Sequence, residues 1–285
     1  MVVTLRNETF SVTADSAGAE LKSICFRGRE RLWQNENGSW SGHAPILFPV
    51  CGATTIRLGG RVYPCPRHGF ARRARFTVAE QSETYVRFRL MSNEETRPLY
   101  PFEFRFDVVY TLTSDALSIA YEIHNPGRGV LYASCGAHDS FALAGEVREY
   151  ALRFAETEHF DSYLTDREGH LTGETKSIGV GDTLDLATPL LDGGESICLD
   201  RLRSRRVTLF SKATGRNVAQ VDFPESEKLV LWHPTGSRML CIEPWQTLPD
   251  TAGETLDFTE KDGVLAVPPG ATVRITHRIT YGDEA

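Results

Sequence analysis

Three short segments of this 285-residue chain carry side chains able to move protons at neutral pH. They are Arg67-His68-Gly69-Phe70-Ala71-Arg72, Gly136-Ala137-His138-Asp139-Ser140-Phe141 and Cys241-Ile242-Glu243-Pro244-Trp245. Two imidazoles and a carboxylate make a minimal acid–base set. Long stretches of chain part them, so only the fold can bring them into one site. An aromatic ring such as Trp245 suits a ligand with C–H bonds on its face and hydroxyls on its rim, which describes a sugar.

Taken singly, each residue also has a plainer reading. Glu243 ends an apolar run and precedes Pro244, which cannot donate to a strand ladder. A strand is expected to stop there, with the carboxylate as a solvated tip or a site group. His68 alone reads as a surface histidine between solvated arginines, and His138 as a hydrogen-bonded core histidine. His277 lies on an apolar stripe and reads as a core residue. His138-Asp139-Ser140 is not a triad, because neighbours in extended chain point to opposite faces. The pair Gly179 and Gly181 lacks the third glycine of a dinucleotide fingerprint. Six cysteines, at 25, 51, 65, 135, 198 and 241, form no C-x-x-C pair. Neither a cofactor nor a metal is expected.

The elements that must position these groups have a period of two. Phe104, Phe106, Val108, Tyr110 and Leu112 alternate along one segment, and Leu117, Ile119, Tyr121 and Ile123 along the next. Val273, Ile275, His277, Ile279 and Tyr281 repeat the pattern near the end. Shorter runs punctuated by Gly, Asn, Asp and Pro fill much of the rest, so the chain is expected to be all-β, a sandwich or barrel. Residues 1–285 read as a single domain without linkers. Thr157 to Arg167 is the one stretch with room for a helical turn or two. Residues 42–72, 93–103 and 233–253 are too irregular for regular sheet and are expected to carry binding groups.

Net charge is −7, which gives nucleic-acid binding no electrostatic support. No stretch is long and apolar enough for a membrane span, and the N-terminus does not read as a signal peptide. Free buried thiols in a reducing cytoplasm are expected. Oligomeric state is not legible.

Four segments, Ala44-Pro45-Ile46-Leu47-Phe48-Pro49, His68-Gly69-Phe70-Ala71-Arg72, Gly136-x-His138 with Phe141, and Cys241 to Trp245, occur in this order. With them the chain resembles the aldose 1-epimerase (galactose mutarotase-like) family, above all a divergent bacterial branch with APxLFP, HGFAR and IEPW segments. The resemblance runs from about Gly18 to Tyr281. It implies a large antiparallel β-sandwich. It implies that His138 protonates the ring oxygen of an aldose and that Glu243 takes the proton of the anomeric hydroxyl. His68 would hydrogen-bond the sugar, and Asp200 would match an aspartate that contacts a sugar hydroxyl. The family's arginine after LFP-x-x-G is replaced here by Ala53. Arg57, Arg67 or Arg72 could substitute for it, and a phosphorylated aldose is then a second possible substrate. Asp139 and Gln246 also depart from the family pattern. A protein of this fold that binds sugar without turnover is the remaining alternative.

Overall fold

The computed structural model describes residues 1–282. A sheet of thirteen strands, all paired antiparallel, dominates it. Its order begins Asp139–Ala142, Met239–Trp245, Lys228–Trp232, Ile197–Leu199, Tyr150–Thr165, Arg206–Ser211 and Asn217–Asp222. It continues through Thr272–Tyr281, Ala116–His124, Arg105–Leu112, Tyr85–Met91 and Thr77–Gln81. The strand Leu171–Asp185 lies off this path and pairs with Tyr150–Thr165. A second sheet of four strands spans Val2 to Glu30.

The alternating segments form the central ladder. Phe106 faces Ile123 and Val108 faces Tyr121, while Tyr121 in turn faces Ile275. Such apolar cross-strand pairs are the unit of sheet stabilisation. The four-stranded sheet packs its apolar face on this one: the rings of Phe10 and Phe26 lie 6.3 and 5.9 Å from Tyr281. Tyr110 crosses the same interior and donates its hydroxyl to Ala19 O at 2.7 Å. The result is a large antiparallel β-sandwich with a core running from Val3 to Tyr281. The outward face of Arg105–Leu112 is covered too. Asp107 is fully buried there, held by Arg87 at 3.0 Å and Arg89 at 2.7 Å. Long arginine stems roof that carboxylate, so the strand is more buried than its alternation suggests.

Two local expectations give way. Thr157 to Arg167 is not helical. It continues Tyr150–Thr165, with Glu158, Phe160 and Ser162 buried at a period of two. Glu158 is buried because the amides of Arg203 and Ser204 donate to its carboxylate. The strand before Pro244 does not stop at Glu243 but runs through to Trp245. Pro244 is tolerated because its carbonyl takes the Ala137 amide at 3.1 Å, on the side where the Asp139–Ala142 ladder has already ended. The one α-helical turn among the described residues, Pro189–Asp192, is capped by Thr188. All six cysteines are free, four of them buried and Cys25 and Cys65 half-buried. No helix among the described residues is long and apolar enough to cross a membrane.

Candidate active site

The Ala44–Pro49 segment ties the chemical segments together through its backbone. Leu47 and Gly136 exchange two hydrogen bonds of 3.1 Å, and Phe48 O accepts from Phe70 and Ala71. The Cys135 carbonyl accepts from Gln246. The irregular 42–72 region is therefore a clamp between the two histidine segments and the end of the glutamate strand. Gly136 must lack a side chain, since a Cβ there would lie 2.6 Å from the Trp245 ring. That close approach lets the Trp245 indole donate to Ala137 O at 3.0 Å.

A cleft of about 350 Å³ results, lined by Trp40, Arg67, His68, Arg72, His138, Ser196, Val230, Trp232, Glu243 and Trp245. His68, Arg72, His138, Glu243 and Trp245, singled out in the sequence, thus share one cleft. Asp200 does not line it. Its carboxylate meets Lys228 Nζ at 3.1 Å, and it borders two neighbouring clefts. Of the candidate replacements for the missing arginine, Arg67 and Arg72 line the cleft and Arg57 does not. Asp139 points away from His138 into the interior, 2.8 Å from His277. Gln246 is a structural group, donating to Glu225 O and Ser226 Oγ. Trp40, Trp232 and Ser196 are wall residues that sequence reasoning did not single out as site groups. Trp40 lies four residues before Ala44-Pro45, and that nearness to the clamp was the available signal.

At the cleft floor, His138 Nε2 lies 3.4 Å from Glu243 Oε2. Neither Glu243 Oε2 nor His138 Nδ1 has a hydrogen-bond partner. Burial pushes the Glu243 carboxyl well above its usual range, helped by the charge of Asp139 and opposed more weakly by Arg67 and the Trp245 indole. Burial likewise drives His138 down to about 3, with Arg72 and Arg67 adding to it. The acid and base roles implied by the resemblance require an ionised Glu243 facing a protonated His138 when substrate is bound; the cleft by itself favours a different state. Desolvation outweighs their mutual attraction here, and the resting pair is a neutral carboxyl beside a neutral imidazole.

His68 sits at φ 64°, an uncommon conformation for a side-chain-bearing residue. Its amide donates to Gly52 O at 2.9 Å and the Gly52 amide donates back to its Nδ1 at 3.1 Å. A neutral imidazole accepting at Nδ1 carries its hydrogen on Nε2. Arg67 Nε, 3.3 Å from Nε2, is then a packing contact rather than a second donor. Burial, His138, Arg67 and Arg72 all hold the His68 pKa well below the usual range, so it serves as a neutral N–H donor. Arg72 donates to Arg67 O at 3.1 Å and leaves its buried Nε without a partner.

His138, Cys241 and Glu243 offer ligand atoms within 4.8 Å of one another. A metal would need the Cys241 thiolate. Burial, Glu243 and Asp139 together raise that thiol well above its usual range, so this donor set fits a metal poorly.

The pKa directions carry a stability consequence. An unfolded histidine protonates near 6.5, whereas folded His138 resists until about 3. Wild type therefore loses stability as pH falls through that window, because the unfolded chain binds more protons. Folded Glu243 keeps its proton above the ordinary value of 4.5, so wild type also loses stability as pH rises past it. In urea titrations, His138→Asn should gain on wild type increasingly below pH 6.5, and Glu243→Gln increasingly above 4.5. Parallel curves for wild type and both variants would contradict the neutral pair.

The aldose 1-epimerase family model matches residues 1–261. The plasmid-encoded protein LacX of Lactococcus lactis subsp. lactis is 33% identical over 300 aligned positions, covering 98% of this chain and 99% of that protein. A galactose mutarotase-like protein from Lactobacillus casei superposes with a TM-score of 0.91 at 28% identity, covering 98% of this chain and 99% of the other. A galactose mutarotase related enzyme from Lactobacillus acidophilus has the same fold, with a TM-score of 0.88 at 24% identity and coverage of 99% and 97%. With the family model matched over residues 1–261 and a 33% identical relative along nearly the whole chain, the protein belongs to the aldose 1-epimerase family.

Proposed function

We propose that the protein interconverts the α and β anomers of an aldose by acid–base ring opening, with Glu243 and His138 as the proton-transfer pair. The observation that carries this is the 3.4 Å contact of His138 Nε2 with Glu243 Oε2, a buried oxygen without a hydrogen-bond partner, on the floor of a cleft wide enough for a sugar. Proton bookkeeping supports it. The pair holds one transferable proton, which sits on Glu243 at rest. When the sugar's hydroxyls fill the cleft, that proton crosses to His138. Glu243 then takes the proton of the C1 hydroxyl while the O–H electrons form the C1 carbonyl. The bond from C1 to the ring oxygen breaks, and that oxygen takes the proton from His138. The pair is left with its proton on Glu243, its favoured state in this dry cleft. Rotation about C1–C2 and the reverse steps close the ring on the other face. His68, with Nε2–H toward the cleft, donates to a sugar hydroxyl, and Trp245 packs against the C–H face. Each proton transfer done this way is worth roughly 10²–10⁴-fold. Six unpaired cysteines support a cytoplasmic setting.

Polarimetry on freshly dissolved α-D-glucose and α-D-galactose tests the reading. Catalysed approach to anomeric equilibrium is expected. Binding without acceleration, for every aldose and aldose phosphate tried, would make this a sugar-binding protein instead.

One observation favours a phosphorylated aldose as the substrate. Arg67 and Arg72 both reach the cleft and form no ion pair among the described residues, and Arg72 leaves its buried Nε unused. Guanidinium forks suit phosphate oxygens. On this reading Arg72→Glu should weaken binding of an aldose phosphate by about tenfold or more, increasingly so at low salt, and bind the free aldose nearly as before. Calorimetric titration of both ligands at two salt concentrations decides; equal losses leave the neutral aldose as substrate.

A further inference from the structure

The ring of His138 is oriented in an unusual way. A catalytic imidazole is ordinarily aimed by a hydrogen bond at its far nitrogen, from a carboxylate or a backbone carbonyl. Here the far nitrogen, Nδ1, is buried without any partner. The neighbouring carboxylate that could have served, Asp139, faces the interior and is engaged by His277. Something else must fix the ring.

The surroundings of His138 are aromatic. The Trp40 indole lies parallel to the imidazole, with centroids 5.1 Å apart and an interplanar angle of 21°. Trp232 stands edge-on to both rings, at 5.5 Å from Trp40 and 6.0 Å from His138. His68 closes a further side at 5.8 Å. Trp40 is itself tied down, although it belongs to an irregular loop. Its carbonyl accepts from the Trp33 indole at 2.9 Å, its amide donates to Asn35 Oδ1 at 3.3 Å, and its ring folds back over Gly42. A Cβ at Gly42 would lie 2.4 Å from that ring, so only glycine leaves it room.

We propose that Trp40 is a positioning residue: its indole face holds the His138 ring with Nε2 toward Glu243 and stabilises the imidazolium that forms when the proton crosses. The role rests on the acid–base reading of His138 given above. A π face beside an imidazolium supplies the favourable electrostatics that water supplies elsewhere. It does so without a hydrogen bond that would hold the proton at Nδ1. A stacked face also blocks tilting of the ring while leaving Nε2 free to exchange its proton.

The test uses Trp40→Phe, which keeps a π face, and Trp40→Met, which keeps apolar volume without one. Trp40→Met should lower kcat about tenfold with KM changed by less than about twofold, and Trp40→Phe should restore most of the loss. A rise in KM at unchanged kcat would overturn the proposal and make Trp40 a wall that stacks on the sugar. The second measurement needs no turnover. In sugar-free protein with ring-¹⁵N histidine, His138 should show one tautomer in wild type and Trp40→Phe, and averaged shifts in Trp40→Met. Unchanged shifts in a folded Trp40→Met protein would overturn the positioning role whatever the activity. If the shifts behave as expected while wild type turns over no aldose or aldose phosphate, the epimerase reading falls and the positioning role stands.

Discussion

Glu243→Gln is expected to remove most turnover, a loss of roughly 10²–10⁴-fold in kcat, while sugar affinity changes little. Glutamine keeps the shape and polarity of the resting neutral carboxyl but has no proton to pass and no basic site to receive one. His138→Asn should act alike from the other side of the 3.4 Å contact. The two groups share a single proton, so each is useless without the other. The double variant should then be scarcely slower than either single one, the mark of residues acting as a unit. Stopped-flow or polarimetric rates, divided by the folded fraction at the assay pH, are the measurement. If the losses multiply in the double variant, the groups act independently and the shared-proton mechanism is wrong. The stability gains expected of the same variants sharpen the result. A variant that is more stable than wild type and yet inactive cannot owe its inactivity to unfolding.

Gly69→Ala should be among the most damaging single changes outside the chemical groups. Gly69 has φ 74°, a conformation that a side chain disfavours. A Cβ there would fall 1.9 Å from Phe48 O, a backbone atom that itself accepts from Phe70 and Ala71. Neither partner can move without opening the clamp between the 44–49 and 68–72 segments. A cost on the order of 3 kcal/mol in chemical unfolding is expected. The damage should also reach function, because His68 precedes Gly69 and shares its left-handed turn. Gly60, also at positive φ but with open space around it, supplies the control. Gly60→Ala should cost only the backbone strain, on the order of 1 kcal/mol. Equal costs at the two sites would mean that the clamp gives way easily.

The residues that come together at the cleft were legible where local sequence chemistry was unusual. His68 among arginines and glycines, His138 after Gly136 and Glu243 before Pro244 each stand beside residues that regular sheet disfavours. The central strands were legible because their apolar positions alternate strictly, from Phe106 to Tyr110 and from Ile275 to Tyr281. Leu171–Asp185 was not, for most of its residues are exposed and most are polar or glycine. An edge strand with no face to bury has no periodicity to read. The resting protonation of the pair was not legible for a related reason. Sequence gives the types of Glu243 and His138 but not their burial, and burial decides which of them holds the proton. The walls made by Trp40 and Trp232 were hidden too. An aromatic residue in a loop or strand looks the same whether it fills a core or lines a cleft. Asp200 was nominated by resemblance alone, and its partner Lys228 was invisible until the strands were paired.

One ladder decides which of two adjacent side chains faces the cleft. Asp139–Ala142 pairs with Met239–Trp245 in a fixed frame, Asp139 opposite Ile242 and Ala142 opposite Met239. His138, next along the chain, faces the cleft, while Asp139 faces His277 across the interior. Side chains in extended chain alternate, so a slip of one position would exchange them. His138 would go into the core and a second carboxyl would stand beside Glu243. Insertion or deletion of a single residue anywhere between the Gly136 clamp and Ala142 is therefore a change of chemistry rather than of loop length. This stretch should tolerate substitution far better than it tolerates any change in count.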